Sequence, residues 1–136
     1  MQNDKPLPEI DPINSQFFKG LSEDKLLIQK CIKCGNTQFY PKAICVKCYS
    51  VDLEWVKSSG EGKVYSFTEI NRVIMNSKEF EKEVPYVIAS VELKEGIRLY
   101  SRILSENGKN VKIGDPVRVV FRTVSEEIGL PEFKLL

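Results

Sequence analysis

All four cysteines of the chain fall within residues 31–48, as two C-x-x-C pairs, Cys31-Ile-Lys-Cys34 and Cys45-Val-Lys-Cys48, with ten residues between them. Each C-x-x-C turn brings two thiolates to one ion, and backbone N–H groups in the turn can hydrogen-bond to the sulfurs. Ten residues are enough to leave the first turn, reverse, and return with the second. Four thiolates then close a tetrahedral shell at about 2.3 Å per bond. The spacing predicts a zinc ribbon with Cys31, Cys34, Cys45 and Cys48 as ligands, and iron is the other metal this set accepts. Disulfides are disfavoured because the polar start, Met-Gln-Asn-Asp-Lys-Pro, lacks the apolar stretch of a secretory signal. The expected location is cytoplasmic. A redox dithiol is disfavoured because that chemistry uses one C-x-x-C in a βαβ setting. A closed shell of four cysteines offers no open position to water or substrate, so the metal is expected to be structural.

The chain has 136 residues, enough for one ordinary domain or two small modules. No apolar run approaches the roughly 20 residues that span a bilayer. Net charge is +1, from 20 basic and 19 acidic residues, which disfavours a surface built wholly for nucleic acid. There is no histidine. The commonest general base near neutral pH is therefore missing, as is the usual partner of a nucleophilic serine or cysteine. Nothing in the sequence marks a catalytic residue.

Taken in order, residues 1–10 read as an extended arm. Asp11-Pro12 reads as a helix start, and Ile13, Phe17, Phe18 and Leu21 form one apolar helical face over 12–24, with Gly20 a possible break. Lys25–Lys30 runs extended into the first cysteine pair, and Leu53, Trp55 and Val56 suggest a strand after the second. Ser58-Ser59-Gly60-Glu61-Gly62 is the clearest linker. The resulting division is an arm and helix over 1–24, a ribbon over 25–59 and a further module over 60–136. In that last part Val64 to Ile70 alternates as a strand, followed by a charged run at 78–83 read as a solvated loop or short helix. Strands are expected near 85–93, 97–104 and 116–124, with a last edge strand at 132–135. Five short strands with turn residues between them predict a small antiparallel barrel of the OB type. The fold class is thus mainly β.

Helix, four-cysteine ribbon and five-stranded barrel, in that order, resemble a known family: the OB-fold and rubredoxin-like zinc-ribbon proteins associated with acyl-CoA metabolism. The segments that carry the resemblance are Phe17-Phe18-Lys19-Gly20-Leu21, Leu26 to Gly35, Phe39-Tyr40-Pro41-Lys42, Cys45 to Cys48 and Leu53-Glu54-Trp55. In the barrel they are Gly62 to Thr68, Pro85-Tyr86-Val87-Ile88-Ala89 and Ile113-Gly114-Asp115-Pro116-Val117. Two departures stand out. Family members often carry Pro-Arg where this chain has Pro41-Lys42, which keeps a point charge and loses bidentate geometry. Many carry a histidine where Asn71-Arg72 stands.

The resemblance implies a non-catalytic scaffold or accessory subunit beside a thiolase or thiolase-like acyltransferase. In archaea a member bridges acetoacetyl-CoA thiolase and hydroxymethylglutaryl-CoA synthase and helps form a shared CoA site. A CoA or acyl-CoA ligand wants cations near its phosphates, an aromatic face for adenine and a channel for its arm. The expected contacts are Tyr40 and Lys42 on one wall and Lys63 and Tyr65 on the other. A single-stranded nucleic-acid module and a rubredoxin-like iron electron carrier are the alternatives.

Overall fold

The structure, a computed structural model, describes residues 7–72, 85–104 and 110–136. The charged run at 78–83 lies outside the described residues.

The one helix among them, α1, spans Ser15–Ser22, shorter than the 12–24 expected. The reason is local. The Asp11 carboxylate accepts the N–H groups of Ile13 and Asn14, each at 2.8 Å, and the Asn14 side chain accepts the Asp11 N–H at 2.9 Å. These bonds close a turn over Asp11–Asn14, and the helix begins only after it. Gly20 does not divide α1. A Cβ there would meet Leu27 Cδ1 at 2.8 Å, so glycine admits the close approach of the next strand. Phe17 and Leu21 are buried, whereas Ile13 stays exposed. After α1 the Lys25 N–H donates to the Gly20 carbonyl and the Asp24 N–H to that of Leu21, a Schellman closure with Asp24 at φ 61°.

The ribbon is a three-stranded antiparallel sheet. Its central strand β1, Leu27–Cys31, is flanked by β2, Thr37–Gln38, and β3, Leu53–Lys57. Five strands follow: β4 Glu61–Ile70, β5 Tyr86–Leu93, β6 Arg98–Leu104, β7 Pro116–Thr123 and β8 Gly129–Leu135. They close into a barrel in the order β4-β5-β6-β8-β7. Counted from β4 this is the 1-2-3-5-4 order of an OB barrel. The expected edge strand at 132–135 is instead part of β8, which closes the barrel. It pairs with β7 from Val117↔Leu135 to Thr123↔Gly129, and with β6 in parallel at Ile103↔Phe133 and Leu104↔Lys134. Phe133, fully buried, shows why: the strand carries a core side chain that an edge would waste.

One core runs through all three parts. Phe17 and Leu21 of α1 and Leu26 and Ile28 of the ribbon pack with Val64, Val91, Leu99, Val117 and Phe133 of the barrel. The end of α1 rests directly on β8, because Gly129 presents no Cβ; one there would overlap the backbone of Leu21 and Ser22. The Ser22 hydroxyl adds a bond to the Glu126 carbonyl at 2.9 Å. No described helix is long and apolar enough to cross a membrane.

Candidate metal centre and the groove beside it

The two cysteine turns are near-copies of each other. The Cys31 N–H donates to the Asn36 carbonyl and the Cys45 N–H to that of Ser50, each at 2.8 Å. Gly35 and Tyr49, each four residues after the first cysteine of its pair, donate back to the Cys31 and Cys45 carbonyls at 2.9 Å. Both are left-handed, at φ 77° and 64°. The folded turns aim all four thiol groups at one point. Cys31 and Cys48 sulfurs lie 3.5 Å apart, Cys34 and Cys45 sulfurs 3.6 Å, and all four within 4.8 Å of one another. The edge of a tetrahedron with bonds of about 2.3 Å is about 3.8 Å, so the donor set fits a zinc-sized ion. Backbone N–H groups of Cys34 and Lys47 point at the Cys31 and Cys45 sulfurs from 3.4 Å.

The electrostatics also call for a cation. The Cys48 N–H holds Cys45 down to about 6, and the Cys34 N–H lowers Cys31. Cys48 receives the Ser50 N–H, yet the neighbouring sulfur of Cys31 pushes it up to about 12. Four sulfurs so close cannot all be thiolates without a metal ion, and a divalent ion removes the conflict.

From this centre the chain runs through the loop Phe39–Ala43, which two buried amides hold in place. Gln29 Nε2 donates to the Lys42 carbonyl and Gln29 Oε1 accepts the Lys42 N–H, both at 2.9 Å. Gln38 Nε2 donates to Gln29 Oε1 at 2.9 Å and to the Ile44 carbonyl at 3.2 Å, and Gln38 Oε1 accepts the Val46 N–H at 3.0 Å. The loop thus has a backbone fixed by side chains that water does not reach.

The fixed loop forms one wall of a groove of about 500 Å³. Phe17 and Phe18 of α1 supply the second wall, and Leu99, Tyr100 and Pro131 of the barrel the third. The rings make a continuous apolar surface: Phe17 lies 5.1 Å from both Phe18 and Phe39, and Phe39 lies 4.2 Å from Tyr40. The Tyr40 hydroxyl reaches across to within 3.5 Å of the Tyr100 backbone nitrogen. Asp11 and Lys42 are the charged residues of the lining.

Of the residues expected to contact CoA, Tyr40 and Lys42 line this groove together. Lys63 lies in a different depression with Glu92 and Lys94, paired to Glu92 at 3.8 Å. Tyr65 lies in a third, beneath the Arg98 guanidinium at 3.7 Å, and that depression shares Leu99 and Tyr100 with the groove. Sequence reasoning missed Gln29, Gln38, Tyr100 and Pro131. Only Gln29 left a trace, as a polar residue at the end of the apolar run Leu26-Leu27-Ile28.

Glu95, in the turn between β5 and β6, was missed as well. Its carboxylate accepts the Ser58 hydroxyl at 2.8 Å and the Ser59 N–H at 2.9 Å, tying the segment before β4 to the barrel. Burial pushes its pKa up, but the Ser59 and Ser58 bonds outweigh that and hold it below the ordinary carboxylate value.

A closed four-cysteine ribbon, joined through an aromatic groove to an OB barrel, defines a zinc-ribbon and OB-fold protein. The chain belongs to the ChsH2 (DUF35) family. Residues 18–54 match the ChsH2 rubredoxin-like zinc ribbon domain, and residues 55–122 match the ChsH2 C-terminal OB-fold domain. A DUF35 domain-containing scaffold protein of Methanothermobacter thermautotrophicus is 42% identical over 99 residues, 72% of each chain. The benzoylsuccinyl-CoA thiolase subunit BbsA of Geobacter metallireducens is 34% identical over 77 residues, covering 57% of this chain and 49% of its own. A solved Ltp2–ChsH2(DUF35) aldolase superposes with a TM-score of 0.81 at 31% identity, over 95% of this chain and 98% of that one.

Proposed function

We propose that the chain is a non-catalytic accessory subunit of an acyl-CoA enzyme of the thiolase type, with a hydroxymethylglutaryl-CoA synthase as a second partner. Its relatives include a scaffold protein and a thiolase subunit, and the superposed structure is an aldolase complex. The supporting observation is the groove. Three separate elements supply its walls, and it has the size and apolar character that suit the pantetheine arm and acyl group of a thioester.

In this reading Tyr40 and Lys42 contact the arm, while Lys63 and Tyr65 lie farther out and contact only the phosphorylated head. The metal and the buried glutamines hold the loop; the reaction is the partner's. Against the nucleic-acid alternative, many surface cations are matched by acids. Arg118 and Lys94 meet Glu61, Lys63 and Arg98 meet Glu92, and Arg122 meets Glu132.

The test is titration with CoA of the full chain, alone and with the enzyme that co-purifies with it, for the unchanged protein, Lys42→Ala and Lys63→Ala. A partly exposed cation against phosphate is worth about 1 kcal/mol, so a loss of about fivefold is expected for Lys63→Ala, and a smaller loss for Lys42→Ala, whose amine meets only the uncharged arm. Unchanged affinity in both settings removes these two lysines from the site.

A further inference from the structure

The outer face of the barrel carries two serines where bulkier residues would be expected. Ser66 on β4 and Ser90 on β5 are register partners, and Ser90 is also opposite Tyr100 on β6. The ladder shifts between Val64 and Ser66, which sets Tyr65 apart from the regular pairing. The small serines leave a hollow of about 280 Å³ between Tyr65 with Arg98 on one side and Tyr100 on the other. Ser90 is only 9% exposed, yet neither its hydroxyl nor that of Ser66 has a side-chain hydrogen-bond partner among the described residues. Among the described residues no buried side-chain polar atom lacks a partner, so these two hydroxyls open to solvent, where they can bond a ligand that enters from outside.

The charge nearby has a consistent sign. Arg98 lies flat on Tyr65 at 3.7 Å, and its Nε points to Glu92 at 3.4 Å. No other Arg98 nitrogen has a partner among the described residues. Lys63 meets the same Glu92 at 3.8 Å, so the two cations and one carboxylate leave one net positive charge beside the hollow. A guanidinium braced on a ring with free amino groups, next to two hydroxyls, suits a phosphate oxyanion. Leu99 and Tyr100 line both this hollow and the aromatic groove, so the two are neighbours on the surface, the groove largely apolar and the hollow carrying the serines.

We infer that the hollow of Tyr65, Ser66, Ser90 and Arg98 is a subsite for the phosphate monoester of a long ligand whose apolar arm lies in the groove. This rests on the thioester reading of the groove and adds a polarity: arm toward Phe17 and Phe39, phosphorylated adenosine end over Tyr100 toward Arg98. No bond is made or broken here; the subsite orients the ligand.

The test separates the subsite from the groove by using three ligands on the full chain. These are CoA, 3′-dephospho-CoA and pantetheine, each titrated against the unchanged protein, Arg98→Gln, and the double variant Ser66→Ala with Ser90→Ala. Charge-assisted hydrogen bonds of the usual strength make CoA bind about 10- to 100-fold more tightly than dephospho-CoA to the unchanged protein. Arg98→Gln abolishes most of that difference and leaves pantetheine affinity unchanged. The serine pair reduces it about 3- to 10-fold. Equal binding of CoA and dephospho-CoA by the unchanged protein, with pantetheine still bound, overturns the subsite and leaves the groove reading intact. Failure of all three to bind overturns both. Thermal melting of each variant checks that the barrel is folded, and a folded Arg98→Gln that keeps the full preference for CoA also overturns the subsite.

Discussion

Gln29 and Lys42 exchange two hydrogen bonds, one in each direction between the glutamine amide and the lysine backbone, both at 2.9 Å. A buried side chain thereby holds a loop residue by its main chain and leaves the Lys42 amine free to face the groove. Replacing Gln29 with leucine keeps the volume but strips the partners from the Lys42 backbone and from one Gln38 contact. We expect a loss of about 2–3 kcal/mol in chemical denaturation. Groove affinity should fall with it, whereas a loop indifferent to Gln29 would keep both.

The metal centre should hold one zinc per chain and be colourless, as elemental analysis and an absorption spectrum will show; a red, redox-active protein would mean iron. Removing the metal with a chelator leaves four thiols that repel one another as they ionise. Amide exchange should then rise in β1–β3 and in the Phe39–Ala43 loop while β5 and β6 stay protected. Uniform protection before and after chelation would show that the ion does not hold the ribbon.

Glu95 makes a pH-dependent contribution whose sign is fixed. Its pKa is lowered in the folded state, so its bonds to Ser58 and Ser59 stabilise fully above the ordinary glutamate value of about 4.3. The contribution is lost as pH falls from there through the lowered folded value. Glu61, also lowered, chiefly by Lys94 and then by Arg118, adds a slope of the same sign. Comparing Glu95→Gln with the unchanged protein isolates the first. The variant should melt earlier near neutral pH and lose less stability on acidification; parallel curves would contradict the assignment.

Asp24 closes α1 in a left-handed conformation that a residue with a Cβ adopts at a cost. Asp24→Gly should therefore raise stability by about 0.5–1 kcal/mol, less the entropy that glycine adds to the unfolded chain. A rise of a few degrees in melting temperature is the expected reading. A fall would mean that the carboxylate makes an unrecognised contribution.

Much of this organisation was legible in the chain. The cysteine spacing specified the ribbon, because two short turns and one ion leave little geometric freedom. The alternation from Val64 onward specified strands, and five of them in that length made a barrel the economical closure. The errors were at places where a distant contact decides. Residues 132–135 looked like an edge strand because alternation says nothing about which neighbours lie on either side. Asp11 looked like the immediate start of a helix because its side chain serves a turn equally well. Lys63 and Tyr65 are close in sequence, but the ladder shift after Val64 helps to place them in different depressions.

The sequence by itself determined the metal ligands, the strand-rich class and the lack of histidine chemistry. Each of these is written in residue type and short-range spacing. Only the tertiary structure decided that Phe17, Tyr40, Lys42, Tyr100 and Pro131 surround one groove, and that Ser66 and Ser90 open a hollow beside it. The physical reason is that these neighbours come from α1, the ribbon and four barrel strands. What brings them together is shared burial around Leu21, Ile28 and Phe133, a property of the packed core that no local pattern in the chain records.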